Sequence, residues 1–290
     1  PPLGVMGSAL ATLIGQMVSV VAILVLLYAR KHPLRLAGDD LALLKPDPAL
    51  LRLVVLKGIP MGLQMIVISL SALLLMGLVN SHGSQTAAAY GIAAQLWTYV
   101  QMPALAIGAA VSSMAAQNVG AKRWDRISWI TGTGVLFNMA MTGSLVVVLA
   151  LFDREVLGLF LSADAGAIDM AVRINTLASW SFILFGVTIV LFATVRATGA
   201  VTPPLIILIF SILIVRTGFA YGFQGQLGAD AIWYAFPVGS IVSLVLALGY
   251  YRFGRWRSLH LIDAKRPPAG EPPDTGLGVP RERAYLESEG

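Results

Sequence analysis

The 290-residue chain contains no cysteine, so a disulfide framework and a thiolate metal site are both ruled out. It is also poor in charge. Asp, Glu, Lys and Arg make up 12% of the residues, against about 25% in an ordinary soluble domain. Histidine is scarce, and neither His32 nor His82 has neighbours suited to holding a metal ion. No P-loop, nucleophile elbow or H-E-x-x-H helix is present. These shortages argue against a soluble enzyme, a disordered chain and a metal-centred catalyst. What is abundant is apolar: the residues AVILMFWYC reach 57% and the mean hydropathy is +0.78.

Crossing the hydrocarbon core takes about 20 apolar residues. Stretches free of Asp, Glu, Lys and Arg predict seven spans, near 3–27, 58–79, 87–116, 127–152, 174–196, 203–223 and 231–251, with the polar cluster Asn80 to Thr86 separating the second from the third. Lipid admits only helices and closed barrels, because every backbone group must be satisfied internally. Runs this long and evenly apolar are helices. The expected fold is therefore all-α, a polytopic integral membrane protein. Residues 153–173 carry apolar positions that predict a short interfacial helix broken near Ser162 to Asp164. The opening Pro1-Pro2-Leu3-Gly4, with no initiator Met and no basic leader, predicts that the natural N-terminus lies further upstream.

Charge placement orients the spans. If they alternate, 17 of the 20 Lys and Arg residues fall on one side. These are in the linker after the first span, in the loop with Lys122, Arg123 and Arg126, at Arg196, and in the segment from Arg252 onward. That side is predicted to be cytoplasmic, together with the C-terminus, in a bacterial plasma (inner) membrane. The isoelectric point of 9.6 then reports topology rather than a nucleic-acid partner; the lipid bilayer is the expected surrounding. Tyr28, Trp124, Trp129, Tyr250, Tyr251 and Trp256 are expected as anchors at the inner ends, and Tyr221, Trp233 and Tyr234 at the outer ends.

Sliding the first span onto the last with an offset of 224 gives seven identities in 25 positions, among them Gly15 with Gly239 and Ser19 with Ser243. Internal repetition of this kind marks transporters built from parallel repeats. The predicted domains are 1–29, the last helix of an N-terminal lobe; 30–57, a cytoplasmic inter-lobe linker; 58–257, a complete six-helix C-terminal lobe; and 258–290, a Pro-, Gly- and Glu-rich tail expected to be disordered.

Four segments carry a family likeness: Lys57-Gly58-Ile59-Pro60, Gly108 to Val111 running to Gln117-Asn118-Val119-Gly120-Ala121-Lys122, Arg196-Ala197-Thr198-Gly199, and Arg216 to Tyr221 followed by Gly228 to Trp233. In order and spacing they resemble the multidrug and toxic compound extrusion (MATE) transporters over about 1–257. The resemblance implies twelve helices in two lobes and export of small organic, often cationic, compounds against inward Na⁺ or H⁺. It implies no cofactor beyond the coupling ion and no enzymatic activity. Related sodium-coupled members have an acid eight positions after the proline of the second span, where this chain has Ile68. None of the seven predicted spans contains Asp or Glu, and a coupling cation normally needs an intramembrane carboxylate. The coupling site is therefore expected in the N-terminal lobe that these residues lack, which becomes a necessary partner. A lipid-linked precursor flippase of the same superfamily is the alternative, but such proteins tend to place several cations in the cavity.

Candidate substrate-cavity residues are the polar and adaptable side chains inside spans. Gln64 lies among Met61 and Met65, and suits either a substrate hydrogen bond or an interhelical one. Gln95, Tyr99 and Met102 share one helical face just before Pro103, which is expected to kink the helix. Trp180 and Phe185 suit either cavity lining or packing. Pro103, Asn138 and Arg216 are expected in structural or gating roles, with Asn138 bonding between helices and Arg216 as the one charge within a span.

Overall fold

The computed structural model describes residues 4–30, 48–158 and 165–258, and among them there are helices and turns but no strands. Six helices are long and apolar enough to cross a membrane, and a bent pair makes a seventh span. The predicted fold class holds. The tail at 259–290 and the broken point at Ser162 to Asp164 lie outside the described residues, as does most of the linker, 31–47.

The chain divides into two units, Pro1–Leu56 and Lys57–Gly290. The first holds α1 (Gly4–Ala29) and the start of α2 (Pro48–Asn80). The helix α2 begins ten residues before the expected boundary at 58, so 48–57 is helical rather than linker. Pro48 supplies a pre-set φ where the missing N–H costs nothing, and the Leu- and Val-rich run that follows carries the helix on. At 33 residues α2 is about 50 Å long, longer than the hydrocarbon core.

The second unit continues with α3 (Ser84–Gly120), α4 (Trp124–Leu151), the short α5 (Asp153–Gly158), α6 (Ala165–Ala178), α7 (Ser181–Ala197) and α8 (Thr202–Leu208). A π-helical segment (Ile209–Arg216) leads directly into α9 (Thr217–Gly222). Then come α10 (Gln224–Leu227), α11 (Asp230–Phe253) and a 3₁₀ turn (Arg255–Ser258). The turn between α2 and α3 centres on Gly83, whose φ of 101° lies where a side chain would be strained. The helix α3 runs through Pro103 in one piece.

The helix α7 lies at the centre of this unit. It packs against α3, α4 and α11 and buries residues on all its faces, from Phe182 to Ala197. Small residues set the approach of α4. A Cβ on Gly134 would lie 2.5 Å from Val111 Cγ2, and one on Gly186 would lie 2.6 Å from the Asn138 amide. Between the same two helices the Thr131 and Thr194 hydroxyls meet at 2.9 Å.

Three expectations change here. The span expected at 174–196 is broken: α6 and α7 meet at a bend of 46°, where the Ser181 hydroxyl takes the Ala178 carbonyl at 2.6 Å. A hydroxyl competing for the carbonyl at a helix end offers the backbone this alternative to continuing straight. Two expected interfacial tryptophans are core residues instead. Trp233 stacks on Tyr90 with ring centroids 5.6 Å apart. Trp256 is buried beside Ala115, Ile127 and Val195, and its indole N–H donates to the Tyr251 carbonyl at 2.8 Å. An indole is largely apolar and is satisfied by one acceptor, so a chain that folds back after its span can bury it.

Candidate functional site

A cavity of about 170 Å³ sits inside the second unit, walled by α2, α3, α7, the π segment and α11. Its aromatic side is a cluster that spans three helices. Trp97 of α3 lies 4.9 Å from Phe236 of α11 and 5.1 Å from Phe182 of α7, centroid to centroid. Tyr90, one helical face along from Trp97, meets it edge-on at 5.9 Å. The cluster is fixed from one side by a hydrogen-bond chain. The Trp97 indole donates to Asn175 Oδ1 at 2.8 Å, and the Asn175 amide donates to the buried Asp153 carboxylate at 2.7 Å. Asp153 is the first residue of α5, just beyond the end of α4 and outside the spans. Burial pushes its carboxyl above the ordinary carboxylate range, and the Asn175 hydrogen bond pulls it partly back.

Arg216 enters the cavity from the end of the π segment. In that segment hydrogen bonding reaches back five residues rather than four. The Ile212 carbonyl there receives the Thr217 hydroxyl at 3.2 Å and the Ser71 hydroxyl of α2 at 3.1 Å. The Arg216 guanidinium carbon stands 3.8 Å from the centroid of the Phe236 ring, a cation–π contact. Its stem lies against Gly239 of α11, where an added Cβ would come within 2.8 Å of Arg216 Cβ. The one charge within a predicted span is thus turned into the cavity.

Of the predicted cavity residues, Phe185 lines this space, together with Arg216 and Ile68. The others lie elsewhere. Met61, Met65, Gln95, Tyr99, Met102 and Trp180 are exposed on the second unit. Gln95 and Tyr99 do share a face, and the Gln95 amide donates to the Tyr99 hydroxyl at 3.3 Å. Tyr90, Trp97, Phe182, Phe236 and Ser240 also line the cavity and are not among the cavity residues predicted from the sequence. The available signal was the recurrence of aromatics at Tyr90 and Trp97, seven residues apart and so on one helical face.

Gln64 is buried and fully engaged within the protein. Its amide donates to the Val201 carbonyl at 3.2 Å, and its oxygen accepts from Arg196 at 3.3 Å. Lys57, two turns earlier, donates to the Gly199 carbonyl at 2.8 Å. The Arg196–Gly199 motif is thereby pinned to α2, and Gly199, with φ of 86°, is the residue that can make that corner. Of the two roles open to Gln64, this geometry supplies the interhelical one. Gln64→Leu is expected to cost about 1–3 kcal/mol, the penalty for orphaning its buried partners, with substrate preference unchanged. Thermal unfolding and a drug-susceptibility panel on the same variant check both halves.

Asn138 is fully buried, but its hydrogen bond is not between helices: Oδ1 accepts from Thr142 of its own helix at 3.1 Å. Its Nδ2 has no hydrogen-bond partner among the described residues. What it does across the α4–α7 interface is fill the space over Gly186.

An all-helical bundle of membrane-spanning length, with an aromatic cavity among its spans and a broken span at its centre, is that of a polytopic membrane protein. The comparisons with known proteins make this specific. The MatE family model matches residues 60–221, and the chain belongs to that family of multidrug efflux transporters. It is 37% identical over 255 residues to the probable multidrug resistance protein YoeA of Bacillus subtilis (strain 168), covering 87% of this chain and 55% of that protein. It is 29% identical over 264 residues to the probable multidrug resistance protein YpnP of the same organism, covering 91% and 58%. Among solved structures, a MATE transporter in complex with MaL6 shares the fold with a TM-score of 0.80 at 20% identity, covering 89% of this chain and 58% of that one. The chain thus spans a little over half the length of these relatives. The relatives are named for multidrug resistance, and the flippase alternative receives no support from them.

Proposed function

We propose that the protein exports small organic compounds, many of them cationic, from the bacterial cell in exchange for inward Na⁺ or H⁺. The reading rests above all on membership in the MatE family, whose members matched here carry multidrug resistance names. In this reading α1 closes a first lobe, and the helices from Lys57 onward form the second. Solutes pass between lobes that rock in alternating access. The exposed Gln95–Tyr99–Met102 face, with Met61 and Met65, offers amide, hydroxyl and adaptable thioether contacts to varied solutes. Supported by the placement of 17 of the 20 Lys and Arg residues, the basic loops and the C-terminus face the cytoplasm.

The spans predicted from the sequence offer no carboxylate for a coupling ion, so the coupling acid belongs to the first lobe. The test is export by the intact transporter in a host stripped of its own pumps. Resistance to cationic dyes such as ethidium is expected to rise. It should collapse with a sodium ionophore if Na⁺ drives export, and with a protonophore if H⁺ does. Unchanged susceptibility and unchanged ethidium efflux would defeat the reading.

A further inference from the structure

Among the described residues lining the cavity, Arg216 supplies the only charge, and none is Asp or Glu. The Phe236 ring faces the guanidinium carbon at 3.8 Å, which satisfies the face of the group but not its N–H donors. A guanidinium has five of these in a rigid fork. Nε is buried and meets no hydrogen-bond acceptor among the described residues. The side chain as a whole keeps partial exposure, and the fold makes room for it beside the cavity, since only a glycine at 239 lets its stem lie against α11.

The remaining polar groups on the walls are the Tyr90 and Ser240 hydroxyls, able to donate hydrogen bonds, and the Gln101 amide, which already donates to the Trp97 carbonyl at 3.4 Å. The rest of the wall is apolar or aromatic, including Ile68, Trp97, Phe182 and Phe185. One cation, neighbouring donors and flat apolar walls match a singly charged, planar acceptor attached to an apolar body. A carboxylate takes two parallel hydrogen bonds from a guanidinium. A doubly charged phosphate would leave charge unneutralised in an apolar site.

We propose that this cavity binds the carboxylate of a small aromatic acid or zwitterion, with Arg216 as the pairing cation and the Tyr90 and Ser240 hydroxyls as supporting donors. The inference deepens the export reading by giving the second lobe a preferred chemical group. It rests on that reading only for the fate of the ligand, because binding is measured apart from transport and either can fail alone.

The probe is radiolabelled benzoate, binding to the intact transporter purified in detergent. Saturable binding is expected, displaced by unlabelled benzoate and not by equal concentrations of neutral benzamide or cationic benzylamine. Arg216→Gln should weaken it by about 10-fold or more, and Arg216→Lys by less, because an ammonium keeps the charge without the fork. Absence of saturable binding in the unaltered protein would overturn the proposal. So would displacement by benzamide as effective as by benzoate, or unchanged affinity in a folded Arg216→Gln variant. If that variant does not fold, the doubly substituted Tyr90→Phe, Ser240→Ala protein decides. Affinity reduced several-fold supports the site, and unchanged affinity overturns it. Ethidium efflux, measured in parallel, reports on the export reading separately.

Discussion

Asn175→Ala is expected to destabilise the second unit by about 3–5 kcal/mol, because two buried groups lose their partner at once and each orphaned group costs about 1–3 kcal/mol, more when charged. One is the Trp97 indole, 2.8 Å from Asn175 Oδ1. The other is the Asp153 carboxylate, 2.7 Å from its Nδ2. The deficit should depend on pH, with a sign that follows from Asp153. Burial already holds its carboxyl above the ordinary range, and the Asn175 amide opposes that. Removing the amide raises the folded-state value further. A carboxyl that titrates higher in the folded than in the unfolded state binds more protons when folded, so stability rises as pH falls from the raised value towards the ordinary one. The variant should therefore recover part of its loss when unfolding is followed at pH about 5 rather than about 8. Adding Asp153→Asn to Asn175→Ala should flatten that dependence. A loss equal at both pH values would show that Asp153 is not the group responsible.

The second large effect is expected at the α4–α7 contact. Gly186→Ala places a Cβ 2.6 Å from both terminal atoms of Asn138, a fully buried side chain with nowhere to retreat. Overpacking of this kind costs about 1–3 kcal/mol. The control is the same substitution in an Asn138→Ala background, where the obstructing amide is gone. That background also loses the hydrogen bond from Thr142 to Asn138 Oδ1, so the effect of Gly186→Ala is read as the difference between two proteins that both lack it. Gly186→Ala should there be close to neutral, giving a coupling energy of about the same 1–3 kcal/mol. Equal losses in both backgrounds would place the constraint elsewhere on α7.

Hydropathy was enough to locate the spans because lipid demands long apolar runs, and α1, α4 and α11 end within a few residues of their expected limits. It was less informative about what each polar residue does. Gln64 reads the same in sequence whether it meets a substrate or the Val201 carbonyl, since burial obliges an amide to find some partner without naming it. Trp233 and Trp256 lie at positions where tryptophan often faces the interface, and only packing against Tyr90 in one case and Val195 in the other decides their burial. The bend between α6 and α7 leaves no sign in the sequence because Ser179 and Ser181 lie in a stretch that no charge interrupts, and one hydroxyl bonding a helix-end carbonyl leaves no compositional mark. The cavity itself draws two to four residues from each of five separate elements, so no one local pattern in the chain announces the whole of it.

The π-helical stretch at Ile209–Arg216 has a mechanical corollary. Reaching back five residues stores more chain in each turn than the α-helices on either side. If those hydrogen bonds moved by one carbonyl, the C-terminal end of the span would swivel about its long axis without any hinge opening, carrying the guanidinium away from the Phe236 ring. Side-chain hydroxyls already hold the Ile212 carbonyl from two directions, so they would oppose such a rotation. Loosening them through Ser71 or Thr217 would free the swivel while leaving the charged group itself untouched.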